Sequence, residues 1–152
     1  MRKVLESIGD VIVHVGDVGF GNIAKLINNM ISFGCAKIAF EGMVLEAKAG
    51  IDIRTLREVI RNSTGSNYNV QTTLPIIFGG NFEPGFHVNL AIKDIGLALG
   101  MAKEWSVPTL IGAVVEQRLF EAKASGLGDK GTQSLIFALE RLAGVEVRAP
   151  QT

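Results

Sequence analysis

The chain has 152 residues, and 15 Lys+Arg balance 15 Asp+Glu for a formal net charge of zero, while hydrophobic residues make up 47% and charged residues 20%. That length predicts one domain with a core of its own, and the apolar fraction is too high for a disordered chain. Zero net charge argues against bulk electrostatic binding of nucleic acid or of an anionic membrane. Cys35 as the single cysteine excludes an internal disulfide or a Cys-cluster metal site, and with only His14 and His87 beside it no ordinary zinc site is expected.

Met1 to Gly9 lacks the apolar stretch and cleavage site of a signal peptide. The most apolar long segment, Ile23 to Ala49, is broken by Lys25, Lys37, Glu41, Glu46 and Lys48. Its longest charge-free run, Leu26 to Ala36, is well short of the about 20 residues that cross a bilayer. A cytoplasmic protein is the expectation, with its hydropathy spent on an interior or an interface.

In chain order, Val11 to Val15 is a β-branched run closed by Gly16 and reads as a strand. Gly16 to Gly21 is a glycine loop, and from Asn22 a helical pattern runs through Ile23, Leu26, Ile27, Met30, Ile31, Phe33, Ile38, Met43, Val44 and Ala47 to a stop at Gly50. Such a helix is roughly 40 Å long and apolar on more than one face. Small residues at its middle, Gly34, Cys35, Ala36, Ala39 and Gly42, invite close approach of another helix. Asp52 caps a second helix carrying Ile53, Leu56, Val59 and Ile60. Tyr68 to Thr73 is a poor helix former, and Leu74 to Phe78 reads as helical. Further helices are predicted over Phe86–Glu104, with Leu90, Asp94, Leu97, Ala98 and Met101 on one side, and from Pro108 to Gly126, with Leu110, Val114, Val115 and Leu119 as its apolar positions. A last helix is predicted over Thr132–Ala143, with Leu135, Ile136, Leu139 and Leu142 inward. The fold class is all-α, a bundle around one long central helix, with a vestigial N-terminal strand.

The glycine loop superficially matches a dinucleotide fingerprint, but its spacing is reversed relative to G-x-G-x-x-G and no parallel strand follows to make a βαβ unit. A tight strand-to-helix turn is the simpler reading. Lys25 is more informative. It shares a helix face with Asn29, with Asn28 beside them, and sits at a helix N-terminus, where the dipole disfavours a cation unless something negative comes to it. The dipole and partial desolvation should lower the lysine pKa toward a range useful for proton transfer. Together with free backbone N–H groups of Gly21 and Asn22, Lys25 makes a carboxylate site with an acid–base group. The alternative is a Lys25 that points into solvent.

The stretch Gly16-Asp-Val-Gly-Phe-Gly21-Asn-Ile-Ala-Lys25-Leu-Ile-Asn28-Asn29 resembles the catalytic-lysine signature of the β-hydroxyacid dehydrogenase family. Phe82-Glu-Pro-Gly-Phe86 followed by Leu90-Ala-Ile-Lys93-Asp94-Ile-Gly-Leu97-Ala98 is similar to a second segment of that family, and Gly50-Ile-Asp52, Ser63 to Ser66 and Gly126 to Asp129 ahead of Ser134 also fit. The resemblance covers residues 11 to 144 and only the family's C-terminal helical domain, of the 6-phosphogluconate dehydrogenase C-terminal-domain type. It implies Lys25 as the catalytic acid/base, Gly21, Asn28 and Asn29 on the substrate, and Lys93 toward the nicotinamide side of NAD or NADP with Asp94 in support and Phe86 lining the site. A chromatin-associated relative has lost the lysine, whereas this chain keeps Lys25.

Two departures stand out. Nothing corresponds to the family's N-terminal Rossmann domain, so residues 1–15 are expected to be its remnant and 16–152 the C-terminal catalytic and oligomerisation domain. An acidic residue usual just before the serine is displaced in Asp129 to Ser134. The function implied is half of an NAD(P)-dependent 3-hydroxyacid dehydrogenase, inactive alone, acting on a small 3-hydroxy acid or its semialdehyde. Its expected partners are a Rossmann domain of the same protein and further copies in a dimer or tetramer, with no membrane or nucleic acid. The alternatives are a helical oligomerisation or adaptor domain without catalysis, and an independent nucleotide-binding module built on Gly16 to Gly21.

Overall fold

The computed structural model describes the backbone over residues 2–149 and side chains over residues 4–149. The outermost positions of the two expected segments, Met1 and residues 150–152, lie outside the described residues. The elements are α1 (Arg2–Leu5), α2 (Phe20–Ala49), α3 (Ile53–Arg61), a π turn (Asn69–Thr73) running into α4 (Leu74–Phe78), α5 (Val88–Glu104), α6 (Leu110–Ala122) extended by a second π turn (Lys123–Leu127), and a 3-10 turn (Thr132–Leu135) running into α7 (Ile136–Ala143).

The 30-residue α2 is the axis of the bundle, and α3, α5, α6 and α7 all pack on it. Its ends are set by glycines. Gly19 adopts φ 98° immediately before the first turn, and Gly50 takes φ 76° to donate its N–H to the Glu46 carbonyl at 3.0 Å. At Gly16, φ is 122° and an added Cβ would collide with the Phe20 ring, so only glycine lets the chain enter α2 this way. Asp52 caps α3 as predicted, accepting from Thr55 N–H at 2.8 Å.

The core is built from Phe40 and Met43 of α2, Leu74 and Ile77, Val88 and Ile95 of α5, Leu119 of α6, and Ile136. The closest helix approach is at Gly112, where a Cβ would stand 3.0 Å from Leu99 Cδ2 and 3.3 Å from Met30 Sδ. The C-terminal tail straps the bundle. Val147 N–H donates to Glu140 Oε1 at 2.8 Å, Arg148 pairs with the same oxygen at 2.6 Å and lies over the Phe82 ring, and Ala149 N–H reaches the Phe78 carbonyl.

Several expectations are corrected. Val11 to Val15 forms no strand, and no strand occurs among the described residues, whose one β-type contact is the isolated His87–Gly131 bridge. A β-branched run needs a neighbouring strand to take its backbone hydrogen bonds, and none is present. Asn69 to Thr73 is helical despite its composition. Asn69 holds it, donating its side-chain amide to the Ser32 carbonyl at 3.0 Å and accepting from Thr73 Oγ1 at 3.0 Å. Leu90, Leu97, Leu110, Val114 and Leu142 face outward rather than into the core. These helices carry apolar residues on two faces, and periodicity alone does not choose between them. Among the described residues nothing beyond the neighbouring helix backbone lies within 4 Å of a Cβ built at Gly34 or Gly42, whereas Ala36 of the same small-residue cluster packs in the core and Ala39 against it.

Candidate functional site

The side chains of interest meet where the second and third turns of α2 cross α5. Val88, Ala91, Ile95, Ala98, Leu99 and Ala102 form the buried face of α5, and Asp94 falls within that face. It is carried into the interface by its register, leaving its carboxylate only 2% exposed. Such burial is costly unless the charge is met.

Three donors meet it. Lys25 Nζ and Asn29 Nδ2 both donate to Asp94 Oδ2, the amide at 2.8 Å. Lys93 Nζ stands 3.4 Å from Oδ1, an ion-pair contact without hydrogen-bond geometry. Burial alone pushes the Asp94 carboxyl up, but the hydrogen bonds from Lys25 and Asn29, with the charges of Lys25 and Lys93, outweigh it and hold the group below the usual aspartate value. Asn28 Nδ2 approaches Asn29 Oδ1 at 3.4 Å, extending the polar row to the surface.

Lys25, Asn28, Asn29, Lys93 and Asp94 are therefore brought together. Phe86 is half-buried and packs on Phe33, ring centroids 5.9 Å apart, which fastens the segment before α5 to α2. Gly21 lies exposed in the first turn of α2. The expected pair of free N–H groups is reduced, because Asn22 N–H already donates to the Gly19 carbonyl at 3.0 Å.

Sequence reasoning set Asp94 beside Lys93 and missed its bond to Lys25. The negative charge that Lys25 requires at a helix N-terminus is supplied by the chain itself. The signal was available, since Asp94 follows Ala91 by three residues and precedes Ala98 by four, the spacing of the buried stripe.

Chemically, Lys25 presents a half-exposed ammonium whose inner side is fixed by a buried carboxylate. An ammonium has three donors and this one spends one on Asp94, so it keeps donor capacity for an acceptor from outside. Lys93 is 61% exposed and makes one loose ion pair, so it retains donors for acceptor groups of a nicotinamide cofactor, and this set fits such a cofactor. Among the described residues no cluster of metal-ligating side chains occurs, and no helix is long and apolar enough to cross a membrane.

Residues 19–139 match the family model described as "NAD-binding of NADP-dependent 3-hydroxyisobutyrate dehydrogenase". The chain is 37% identical over 99% of its length to 2-(hydroxymethyl)glutarate dehydrogenase of Eubacterium barkeri, covering 50% of that protein. It is 35% identical over 81% of its length to 3-hydroxyisobutyrate dehydrogenase of Pseudomonas aeruginosa, covering 43% of that protein. A crystal structure of a Salmonella typhimurium 3-hydroxyisobutyrate dehydrogenase superposes with a TM-score of 0.84 at 22% identity, over 90% of this chain and 48% of that one. The structure of the Mycobacterium tuberculosis 3-hydroxyisobutyrate dehydrogenase with L-serine does so with a TM-score of 0.82 at 29% identity, over 91% and 50%. The chain thus spans about half the length of these relatives.

Proposed function

Because this chain belongs to the β-hydroxyacid dehydrogenase family, we propose that it supplies the lysine half of an NAD(P)-dependent 3-hydroxyacid dehydrogenase. A Rossmann segment of the same protein completes the site, and the chain alone turns over no substrate. The observation that carries this reading is the Lys25–Asp94–Asn29 cluster: a half-exposed ammonium hydrogen-bonded to a buried carboxylate that Asn29 also engages. An adaptor without chemistry has no need of a carboxylate buried in that position.

The substrate is a small 3-hydroxy acid or the corresponding semialdehyde. NAD or NADP, when bound, supplies or accepts the hydride. Lys25 Nζ donates a proton to the carbonyl oxygen during reduction and takes it back from the hydroxyl during oxidation. Asp94 fixes the position of Nζ through its hydrogen bond and balances the ammonium charge. Asn29, with Asn28 beside it and Gly21 two turns earlier, holds the substrate's carboxylate or hydroxyl. Lys93 holds the nicotinamide side of the cofactor, and Phe86 keeps the start of α5 in place. Residues 1–15 belong to the junction with the Rossmann segment, which agrees with the exposure of Val11 and Val13.

Self-association is part of the proposal. Ile27, Ile31, Ile38 and Leu45 recur at steps of four and seven along α2, so they form one exposed apolar stripe. Gly34, seven residues after Ile27, leaves open space within that stripe. A helix of a second copy or of the Rossmann segment fits there.

The test is hydride transfer, followed at the nicotinamide absorbance, in a protein that joins this chain to a Rossmann segment of the family. Lys25→Met should reduce kcat by about a thousandfold, within the range of general acid–base catalysis. Unchanged turnover in Lys25→Met overturns the reading.

A further inference from the structure

A second polar cluster lies farther along α2, twelve residues and roughly 18 Å from Lys25. A cavity of about 230 Å³ opens between α2, α6 and the 3-10 turn leading into α7. Lys37 and Ser134 both line it, and both are buried, at 9% and 0% exposure. Neither Lys37 Nζ nor Ser134 Oγ has a hydrogen-bond partner among the described residues. Two orphaned polar groups at one cavity are an expensive arrangement for a bundle with no use for them. Of the two arginines that also line it, Arg118 is paired with Glu121 at 2.7 Å, and Arg141 is offset in the charge count by Glu41. The charged lining sums to one net positive charge, and the buried ammonium and hydroxyl are the groups left without a hydrogen bond, while Leu127, Leu135 and Leu139 make much of the remaining wall apolar.

We propose that this cavity binds a short-chain aliphatic monocarboxylate, its head group held by Lys37 and Ser134 and its alkyl chain lying against Leu127, Leu135 and Leu139. One negative charge matches one unpaired ammonium, and the two carboxylate oxygens accept from Nζ and Oγ together. The volume exceeds the roughly 30 Å³ of a single water several-fold, which leaves room for an alkyl chain beside the leucines. A phosphate would bring more charge than the cavity balances and would leave the leucines uncovered. The site is separate from the Lys25 cluster and does not depend on the function proposed for it.

Lys37 is lowered to about 7, first by burial and second by the Arg118 charge. The remaining charged groups lining the cavity are Glu41 on α2, Glu121 on α6 and Arg141 on α7. Binding of a carboxylate at pH 8 should therefore return a proton to Lys37. The experiment is calorimetric titration of the chain with hexanoate, with hexanamide as the neutral control, in buffers of differing ionisation enthalpy. Expected are saturable one-to-one binding of hexanoate only, net proton uptake at pH 8, and affinity that weakens as pH rises through about 7. Lys37→Met should lose at least about tenfold in affinity together with the proton uptake, and Ser134→Ala, which keeps the ammonium, about threefold to tenfold. Lys25→Met should bind hexanoate unchanged. No saturable heat, equal binding of hexanamide, or full affinity in both Lys37→Met and Ser134→Ala overturns the proposal.

Discussion

Asp94, buried in the α2–α5 interface, accepts a hydrogen bond from the half-exposed ammonium of Lys25, sixty-nine residues earlier in the chain. The pair makes the position of the proposed proton donor a property of helix packing rather than of a flexible side chain. Asp94→Asn keeps the shape and removes the charge. Joined to a Rossmann segment of the family, that variant should lose about tenfold to a hundredfold in kcat with a smaller change in KM, and its pH–rate profile should shift. A purely structural role for Asp94 would lower the melting temperature and leave the profile of the folded fraction where it was.

The same carboxylate sets an acid limb for stability. Its folded value lies below 3.8, because the hydrogen bonds and charges of Lys25, Asn29 and Lys93 outweigh the opposing effect of burial. The native state therefore holds fewer protons here than the unfolded state does. The contribution is fully present above 3.8 and is lost as pH falls through the folded value. Urea unfolding of the parent and of Asp94→Asn should show a stability gap that is constant from pH 7 to pH 5 and narrows at pH 3. A gap that widens on acidification contradicts the assignment.

Much of this architecture was legible because its punctuation is local. Gly19 opens α2, Gly50 and Gly144 end helices, all through positive φ values, and Asp52 caps α3 by a bond to a residue three positions away. The N-terminal strand was misread for the converse reason. Val11 to Val15 has the composition of a strand, but a strand is a relation to other strands, and the described residues contain none. The site divides the same way. Lys25, Asn28 and Asn29 are close in sequence, so their common face follows from helix spacing. The Lys25–Asp94 bond depends on how α5 is rotated against α2. Leu90 and Leu97, which turn outward, show that apolar content alone did not fix that rotation.

The cap at Asp52 gives a clean stability measurement away from the cluster. Its Oδ1 accepts from both Thr55 N–H and Thr55 Oγ1 at 2.8 Å. Asp52→Ala leaves those donors to solvent and should destabilise the start of α3 as the loss of an N-cap does. On a chain of this size that lowers the melting temperature by about 2–4 °C in calorimetry. Asp52→Asn, which can accept the same bonds, should recover most of the loss. If alanine and asparagine are equivalent, the cap is not what stabilises the start of α3.

Lys37 makes the opposite kind of prediction, a native side chain whose replacement stabilises the fold. Its ammonium is buried without a hydrogen-bond partner 5.0 Å from the Phe40 ring centroid, and it titrates at about 7 in the folded chain against a model-compound value of 10.5. Below about 7 both folded and unfolded states carry the proton, and the full cost of burying the charge is present. Above it the native state releases the proton while the unfolded chain retains it, so stability rises with pH until 10.5. Lys37→Met removes both the buried charge and its titration. It should be more stable than the parent by roughly 1–3 kcal/mol at pH 6, the cost typical of an unpaired buried polar group. That advantage should shrink steadily in urea unfolding at pH 8 and pH 10. An advantage that stays constant across this range would mean that packing of the methionine against Phe40, rather than relief of the buried charge, accounts for the gain.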